Sequence, residues 1–378
     1  RIIDFTLSNC VHSGIRQIGV ATQYKAQSLI QHLQRGWSFL DGRFHEFIDI
    51  LPAQQQLNEN WYQGTADAVM QNLELIQRNR PRYVLVLSGD HIYKMNYLRM
   101  LEDHVDSGAD LTVACIDVPR AEATAFGVMD TDERRRVTAF VEKPAVPPAM
   151  PGDPGRALVS MGIYVFNADF LADALHFDRS CTGSEHDFGR DLIPRLVRDH
   201  HVNAHYFRDS CVGAGTGQPP YWRDVGTLDA YWAANIDLTQ VTPELNLYDE
   251  DWPIWTYQQQ LPPAKFVFDS DGRRGVALDS LVSGGDIISG ATVRSSLLFS
   301  AVHVHSYAEV EASVILPGVD IGRGARLRRV VVDKHCHIPP GMEIGYDPEA
   351  DRRRFHVSAG GVTLVTPEML GQQVHRRP

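Results

Sequence analysis

The sequence predicts an α/β domain with a mostly parallel sheet, followed by a parallel β-helix. Two observations carry this. Over the first two thirds of the chain, apolar runs of strand length alternate with segments of helical period, the pattern of βαβ units. Over the last third, apolar residues recur six, six and five positions apart with a 17-residue period: Leu281, Ile287, Val293; Leu298, Val304, Val310; Ile315, Ile321, Leu327; Val332, Ile338, Ile344. Neither a helix nor a hairpin gives that spacing. A three-sided coil, with one apolar residue per side pointing at its axis, does. Gly290, Gly318 and Gly322 fall near the corners of such a coil.

With 378 residues the chain has room for roughly two domains. We expect an α/β domain over 1–240, a proline- and aromatic-rich linker over 241–265, and the β-helix over 266–378. The net charge of −11 and the lack of a long basic run argue against nucleic acid as a partner. The five cysteines are scattered without metal spacing, which suits a reducing cytoplasm. No apolar stretch is long enough to span a membrane.

The elements follow in order. Ile2–Cys10 has a helical face of Ile3, Leu7 and Cys10, ended by Ser13-Gly14. Arg1 enters this pattern at once, so a first strand is expected upstream. Ile15–Ala21 reads as a strand, Lys25–Leu33 as a helix and Leu51–Gly64 as a loop. Thr65–Arg78 reads as a helix, Tyr83–Leu87 as a buried strand, Tyr97–Val105 as a helix and Asp110–Ile116 as a strand. Val137–Val141 and Val159–Phe166 are further strands on either side of a proline-rich loop. Asp187–Leu196 is helical with Pro194 as a kink or stop. Ala204–Phe207 is extended, Tyr221–Gly226 is turn-rich, and Thr227–Leu238 is a helix.

Four places hold residues suited to chemistry, each with an ordinary structural alternative. Asp90 follows Ser88-Gly89 where strand Tyr83–Leu87 ends, which is where open α/β sheets bind ligands. It is a metal-holding carboxylate or a cap on the following helix. Asp224 in Trp222-Arg223-Asp224-Val225-Gly226 is a second such carboxylate, or a loop aspartate bonded to backbone amides. Two carboxylates in one crevice suit Mg²⁺, which leaves most of its coordination to water and phosphate oxygens. Lys143, held between a strand and Pro144, is a point charge for a phosphate, with Glu142 beside it for sugar hydroxyls; otherwise the two form a surface ion pair. Gly64-Thr65-Ala66-Asp67 opens a helix, where Gly64 permits close approach of a flat or anionic ligand, or Thr65 or Asp67 simply caps the helix. The alternating pairs His303/His305 and His335/His337 each place both members on one side, facing solvent, with a transition-metal site as the second option. No GxSxG elbow supports hydrolysis.

Taken together, Arg1–Asp4 (RIID), Gly36–Leu40 (GWSFL), Leu51–Gln55 (LPAQQ), Trp61–Val69 (WYQGTADAV), Gly89–Lys94 (GDHIYK), Phe140–Pro144 (FVEKP), Ser160–Phe166 (SMGIYVF) and Tyr221–Leu228 (YWRDVGTL) resemble the bacterial glucose-1-phosphate adenylyltransferases, or ADP-glucose pyrophosphorylases. The resemblance runs through nearly the whole chain. It implies a Rossmann-like nucleotidyltransferase domain and a left-handed β-helix. The implied reaction joins ATP and glucose 1-phosphate into ADP-glucose and pyrophosphate, the committed step toward glycogen. It implies Mg²⁺ on Asp90 and Asp224, and Lys143 on the glucose 1-phosphate phosphate. Tyr62, Gly127, Glu142 and Ser160 would line the sugar or its phosphate, and Gly64, Thr65 and Ala66 would border the adenine. It further implies a homotetramer regulated by sugar-phosphate or nucleotide effectors, with Arg1, Arg78 and Lys334 at effector positions. Family members carry a glycine-rich loop ahead of the segment matching Arg1, and we expect that loop upstream here. The competing readings are a nucleotidyltransferase for another sugar nucleotide and a non-catalytic or fragmentary subunit. An acyltransferase is a weaker option, because the coils show only apolar stacking.

Overall fold

The computed structural model describes residues 1–23, 26–53, 61–150, 152–213, 219–270 and 272–373. The start of the predicted helix at Lys25 and half of the 51–64 loop, with the end of LPAQQ, lie outside the described residues. Contacts divide the chain into two units, Arg1–Trp222 with Asp249–Tyr257, and Arg223–Tyr248 with Gln258–Pro378.

This division differs from the expected ranges at two segments. Helix Leu228–Asp237 belongs with the second unit because its apolar face, Leu228, Tyr231, Trp232 and Ile236, packs on Val314, Val331 and Val362 of the coils. Its Trp232 Nε1 donates to the Ala312 carbonyl at 2.8 Å, and Asp229 accepts from Ser358 and from the Gly360 amide. Asp249–Tyr257, expected as linker, is bound into the first unit. Trp252 and Trp255 stack on His12 at 4.5 and 4.3 Å, Trp252 Nε1 donates to Asn9 at 2.9 Å, and Lys94 pairs with Asp249 at 2.9 Å.

In the first unit the alternation of strands and helices holds, but the sheet is mixed rather than mostly parallel. Gln17–Thr22 runs parallel to Phe47–Pro52, and Leu111–Pro119 parallel to Val202–Tyr206. The long strand Arg156–Asn167 runs antiparallel to its neighbours Tyr83–Leu87, Leu111–Pro119 and Gly127–Thr131. Gly127–Thr131 and Val137–Glu142 form an antiparallel hairpin. The cause is local. Asp132 Oδ1 accepts the amides of Arg134 and Arg136, which closes a tight turn where a βαβ crossover would need a dozen residues. Both faces of the sheet are covered. Leu111, Val113 and Cys115 face one apolar cluster and Ala114 and Ile116 the other, as the strand period of two requires.

The predicted helix over 65–78 is two helices, Thr65–Gln71 and Leu73–Arg78. They part at Asn72, whose side chain donates to the Ala68 carbonyl at 2.8 Å and to the Tyr62 hydroxyl at 2.9 Å. Pro194 does not kink a helix; it sits in the first turn of Ile193–Asp199, after a wider turn over Phe188–Leu192. Two of the quoted motifs meet in the core, where buried Asp4 accepts from the Trp37 indole at 2.8 Å and lies 2.7 Å from His32 Nε2.

The second unit is a parallel β-helix of the left-handed hexapeptide class. Three stacks of parallel strands form its sides, and Val304, Val310, Ile315, Ile321, Leu327 and Val332 are fully buried along the axis. Two corrections apply to the first coil. Val282, not Leu281, is in register with axial Leu298 and packs on the core, and Ile288, not Ile287, faces the axis, being 0 % exposed against 37 %. Ile288 pairs with Val304, which makes this coil one residue shorter than the next. Adjacent apolar residues at 287 and 288 leave the phase undecided in sequence; the backbone ladder decides it. Serines line one corner as a ladder, with the Ser296 amide donating to Ser280 Oγ, the Ser313 amide to Ser296 Oγ and the Val330 amide to Ser313 Oγ. Of the expected corner glycines, Gly318 takes φ +72°, a conformation glycine adopts without penalty. Gly322 is needed for room, since a β-carbon there would lie 2.6 Å from the Ile338 carbonyl oxygen.

Candidate functional site

Asp90 stands where strand Tyr83–Leu87 ends, as expected, with a side chain 70 % exposed. The capping alternative does not hold. The next helix, Tyr97–Ser107, is capped by Asn96, which accepts the Leu98 amide at 3.0 Å. Asp90 is fixed instead by the turn it closes. Arg156–Asn167 bulges between Ser160 and Ile163, and Gly162 adopts φ +67° there. That places Gly162 against Ser88, whose amide donates to the Gly162 carbonyl at 3.2 Å; a β-carbon on Gly162 would lie 2.6 Å from Ser88 Oγ. Thus SMGIYVF and the Ser88-Gly89-Asp90 turn are one packed feature. His91 Nε2 lies 3.6 Å from Asp90 Oδ1, and its ring meets Trp222 edge-on at 5.0 Å. His91 Nδ1 and Trp222 Nε1 are buried with no hydrogen-bond partner among the described residues. Buried polar atoms in this state call for a water, an ion or a ligand as partner. Neither residue was singled out in the sequence. Both lie inside quoted motifs, which was the available signal.

Asp224 ends the strand Trp222–Asp224 and belongs to the second unit. Its Oδ1 accepts the Gly226 amide at 2.8 Å, the backbone bond that the loop-aspartate alternative foresaw. Both Asp90 and Asp224 offer the hard carboxylate oxygens that Mg²⁺ takes.

A second group gathers around Glu142 and Lys143. They end strand Val137–Glu142, and Lys143 takes φ +45°, with its amide donating to the Phe126 carbonyl at 3.0 Å. The ammonium is largely exposed and lies 3.8 Å from Glu142. Glu142 is half buried. Burial pushes its carboxyl above the ordinary value, Lys143 pulls it back and Asp187 raises it further. Gly127 and Gly189 wall this carboxylate. A β-carbon on either would stand 2.7 Å from Glu142 Oε2. Gln63, Gly64, Glu142, Lys143, Glu185, Asp187 and Arg190 line a cleft of about 490 Å³.

Gly64 is required by packing. A β-carbon on it would meet the His186 and Glu185 carbonyl oxygens at 2.3 and 2.4 Å. The Ala66 and Asp67 amides at the helix start donate to the His186 carbonyl, so these donors are taken by the protein itself. Thr65 Oγ1 donates to Asp187 at 2.9 Å and accepts the Phe188 amide; Asp67 accepts the Gln63 amide at 3.0 Å. The helix thus locks to Glu185–Phe188 and sets one wall of the cleft. Glu185, Asp187 and Arg190 escaped the sequence reading. The helix cap at Asp187, which accepts from the Gly189 and Arg190 amides, was the signal that pointed at their turn.

The remaining predicted residues are held by local partners. Ser160 is buried and its Oγ accepts the Gly162 amide at 3.3 Å. Tyr62 accepts from Asn72 and donates to the Leu51 carbonyl at 3.3 Å. Of the effector positions, exposed Arg78 pairs with Glu74 at 2.7 Å, Arg1 Nη1 reaches Ser28 at 3.4 Å, and Lys334 is exposed with its amide donating to Asp333. Arg1 and Arg78 lie in the first unit and Lys334 in the second.

Comparison with known proteins matches these two architectures. The nucleotidyl transferase family matches residues 1–241, and the GlmU-like C-terminal hexapeptide family matches 262–365. Glucose-1-phosphate adenylyltransferase of Nitrosospira multiformis is 68% identical over 375 residues, covering 99% of this chain and 88% of the relative. The chain belongs to the glucose-1-phosphate adenylyltransferase family. The enzymes of the same name from Dechloromonas aromatica and Nitrosomonas europaea are 67% and 64% identical, covering 98% and 99% of this chain and 84% and 87% of theirs.

Proposed function

We propose that the chain transfers the adenylyl group of ATP to glucose 1-phosphate, giving ADP-glucose and pyrophosphate. Among the features of the site, the observation that carries this is the Glu142–Lys143 pair: a half-buried carboxyl walled by two glycines beside an exposed ammonium at the rim of a sugar-sized cleft. Lys143 supplies a point charge for the phosphate of glucose 1-phosphate. Glu142, set in a partly dry place by Gly127 and Gly189, bonds sugar hydroxyls. Ser160 and Tyr62 support the same side, and Gly64, Thr65 and Ala66 border the adenine.

The phosphate oxygen of the sugar attacks the α-phosphorus of ATP in line and pyrophosphate leaves. Such a reaction needs positioning and charge neutralisation, with no covalent intermediate on the protein. On the family resemblance, Asp90 and Asp224 are the carboxylates that would hold Mg²⁺. When bound, it would neutralise charge on the triphosphate. The reading extends to a cytoplasmic homotetramer in glycogen synthesis, answering to sugar-phosphate or nucleotide effectors through Arg1, Arg78 and Lys334.

Pyrophosphate release with glucose 1-phosphate and either ATP, UTP or dTTP tests the reading. Turnover with ATP at least roughly tenfold above the others is expected, and preference for UTP or dTTP would overturn the adenylyl assignment. Asp90→Asn should lower kcat by about 100-fold or more, the scale for removing one preorganised electrostatic partner.

A further inference from the structure

The β-helix carries a cluster of metal-ligating groups that adenylyl transfer does not use. His303 and His305 flank Val304, whose side chain is fully buried on the coil axis, so both imidazoles point outward on the same side. The strand ladder sets Asp320 of the next coil directly beside His303. The imidazole rings lie 3.9 Å apart at 33° to each other. His305 Nε2 is 3.1 Å from Asp320 Oδ1, and His303 Nδ1 is 4.0 Å from Asp320 Oδ2. One ligand atom from each of the three lies within 4.8 Å of the others.

Neutral ring nitrogens are the form that binds metal. Bonds of about 2.0–2.2 Å to a tetrahedral cation separate neighbouring ligand atoms by roughly 3.3–3.6 Å. The distances to Asp320, 3.1 and 4.0 Å, bracket that range. Two imidazoles and one carboxylate favour a borderline transition cation over Mg²⁺, which prefers oxygen donors throughout.

We propose that His303, His305 and Asp320 bind a divalent transition cation of the Zn²⁺ class, which joins two successive coils and keeps a fourth position for water or an outside ligand. The three groups are each 37–39 % exposed, so the ion would sit at the surface, reachable without opening the coil. His337 follows Asp320 in the same column but stands outside the cluster and serves as a control.

The test is a Zn²⁺ titration of the purified full chain at saturating Mg²⁺, in competition with a chromogenic chelator. The native chain should bind one equivalent more than the His303→Asn/His305→Asn variant. Asp320→Asn should weaken that equivalent at least about tenfold, while His337→Asn leaves it unchanged. Zn²⁺ should raise the melting temperature of the native chain and not that of the double variant. Equal stoichiometry and affinity in native chain and double variant would overturn the proposal, as would the absence of a zinc-dependent shift. Adenylyl transfer without added zinc reports whether the variants are folded and should be unchanged.

Discussion

Lys143 is a non-glycine residue held at φ +45°, a conformation that costs of order 1 kcal/mol and persists where neighbours over-determine it. Here Pro144 follows it and the Phe126 carbonyl takes its amide, so the side chain is aimed rather than free to wander. Lys143→Ala should raise KM for glucose 1-phosphate by roughly 10- to 100-fold, the equivalent of losing about 1.5–3 kcal/mol of charge-assisted bonding, with a smaller effect on KM for ATP. Steady-state kinetics with each substrate varied in turn decides it; an unchanged sugar-phosphate KM would remove Lys143 from that role. This residue was legible in sequence because Glu142-Lys143-Pro144 is contiguous. Arg190 and Asp187 were not, since only the fold carries them from 44 or more positions away to the same cleft.

At the scale of elements, Gly64, which lines the cleft, is also a packing joint. Gly64→Ala should lower stability by about 1–3 kcal/mol, because a methyl group must displace the backbone carbonyls of Glu185 and His186. Thermal unfolding measures this, and a melting temperature within error of the native chain would refute the packing role. A second element prediction concerns the first coil of the β-helix. Asp286 is fully buried and accepts the Val302 and Ser283 amides; burial nonetheless pushes its carboxyl up to about 7. A carboxyl whose folded pKa is raised keeps its proton in the folded chain after the unfolded chain has lost it. Its contribution is therefore present below about pH 4 and is lost as pH rises toward 7, with a slope of at most about 1.4 kcal/mol per pH unit. The difference in stability between the native chain and Asp286→Asn, measured by denaturant titration from pH 4 to 8, should follow that slope. A pH-independent difference would rule Asp286 out as the titrating group.

Across the whole molecule, the proposed effector response is tested at Lys334, which lies in the second unit. Lys334→Ala is expected to shift the concentration of sugar-phosphate effector giving half activation by several-fold while the basal rate stays within about twofold, the range of an allosteric coupling of 1–3 kcal/mol. Activation curves for native and variant chains check it; coincident curves would exclude Lys334 from effector binding.

The sequence by itself determined the coil period, the strand-end carboxylate at Asp90 and the Glu142-Lys143-Pro144 turn, because each is written in residues near one another along the chain. Only the tertiary structure decided the rest. Strand direction depends on turns such as that of Asp132, where a side chain closes a hairpin in place of a helical crossover. The phase of the first coil depends on the ladder between Ile288 and Val304, since the sequence offers two adjacent isoleucines. The attachment of Asp249–Tyr257 depends on two indoles finding His12 some 240 residues away. Each choice rests on contacts between distant segments, which period and spacing along a single chain do not encode.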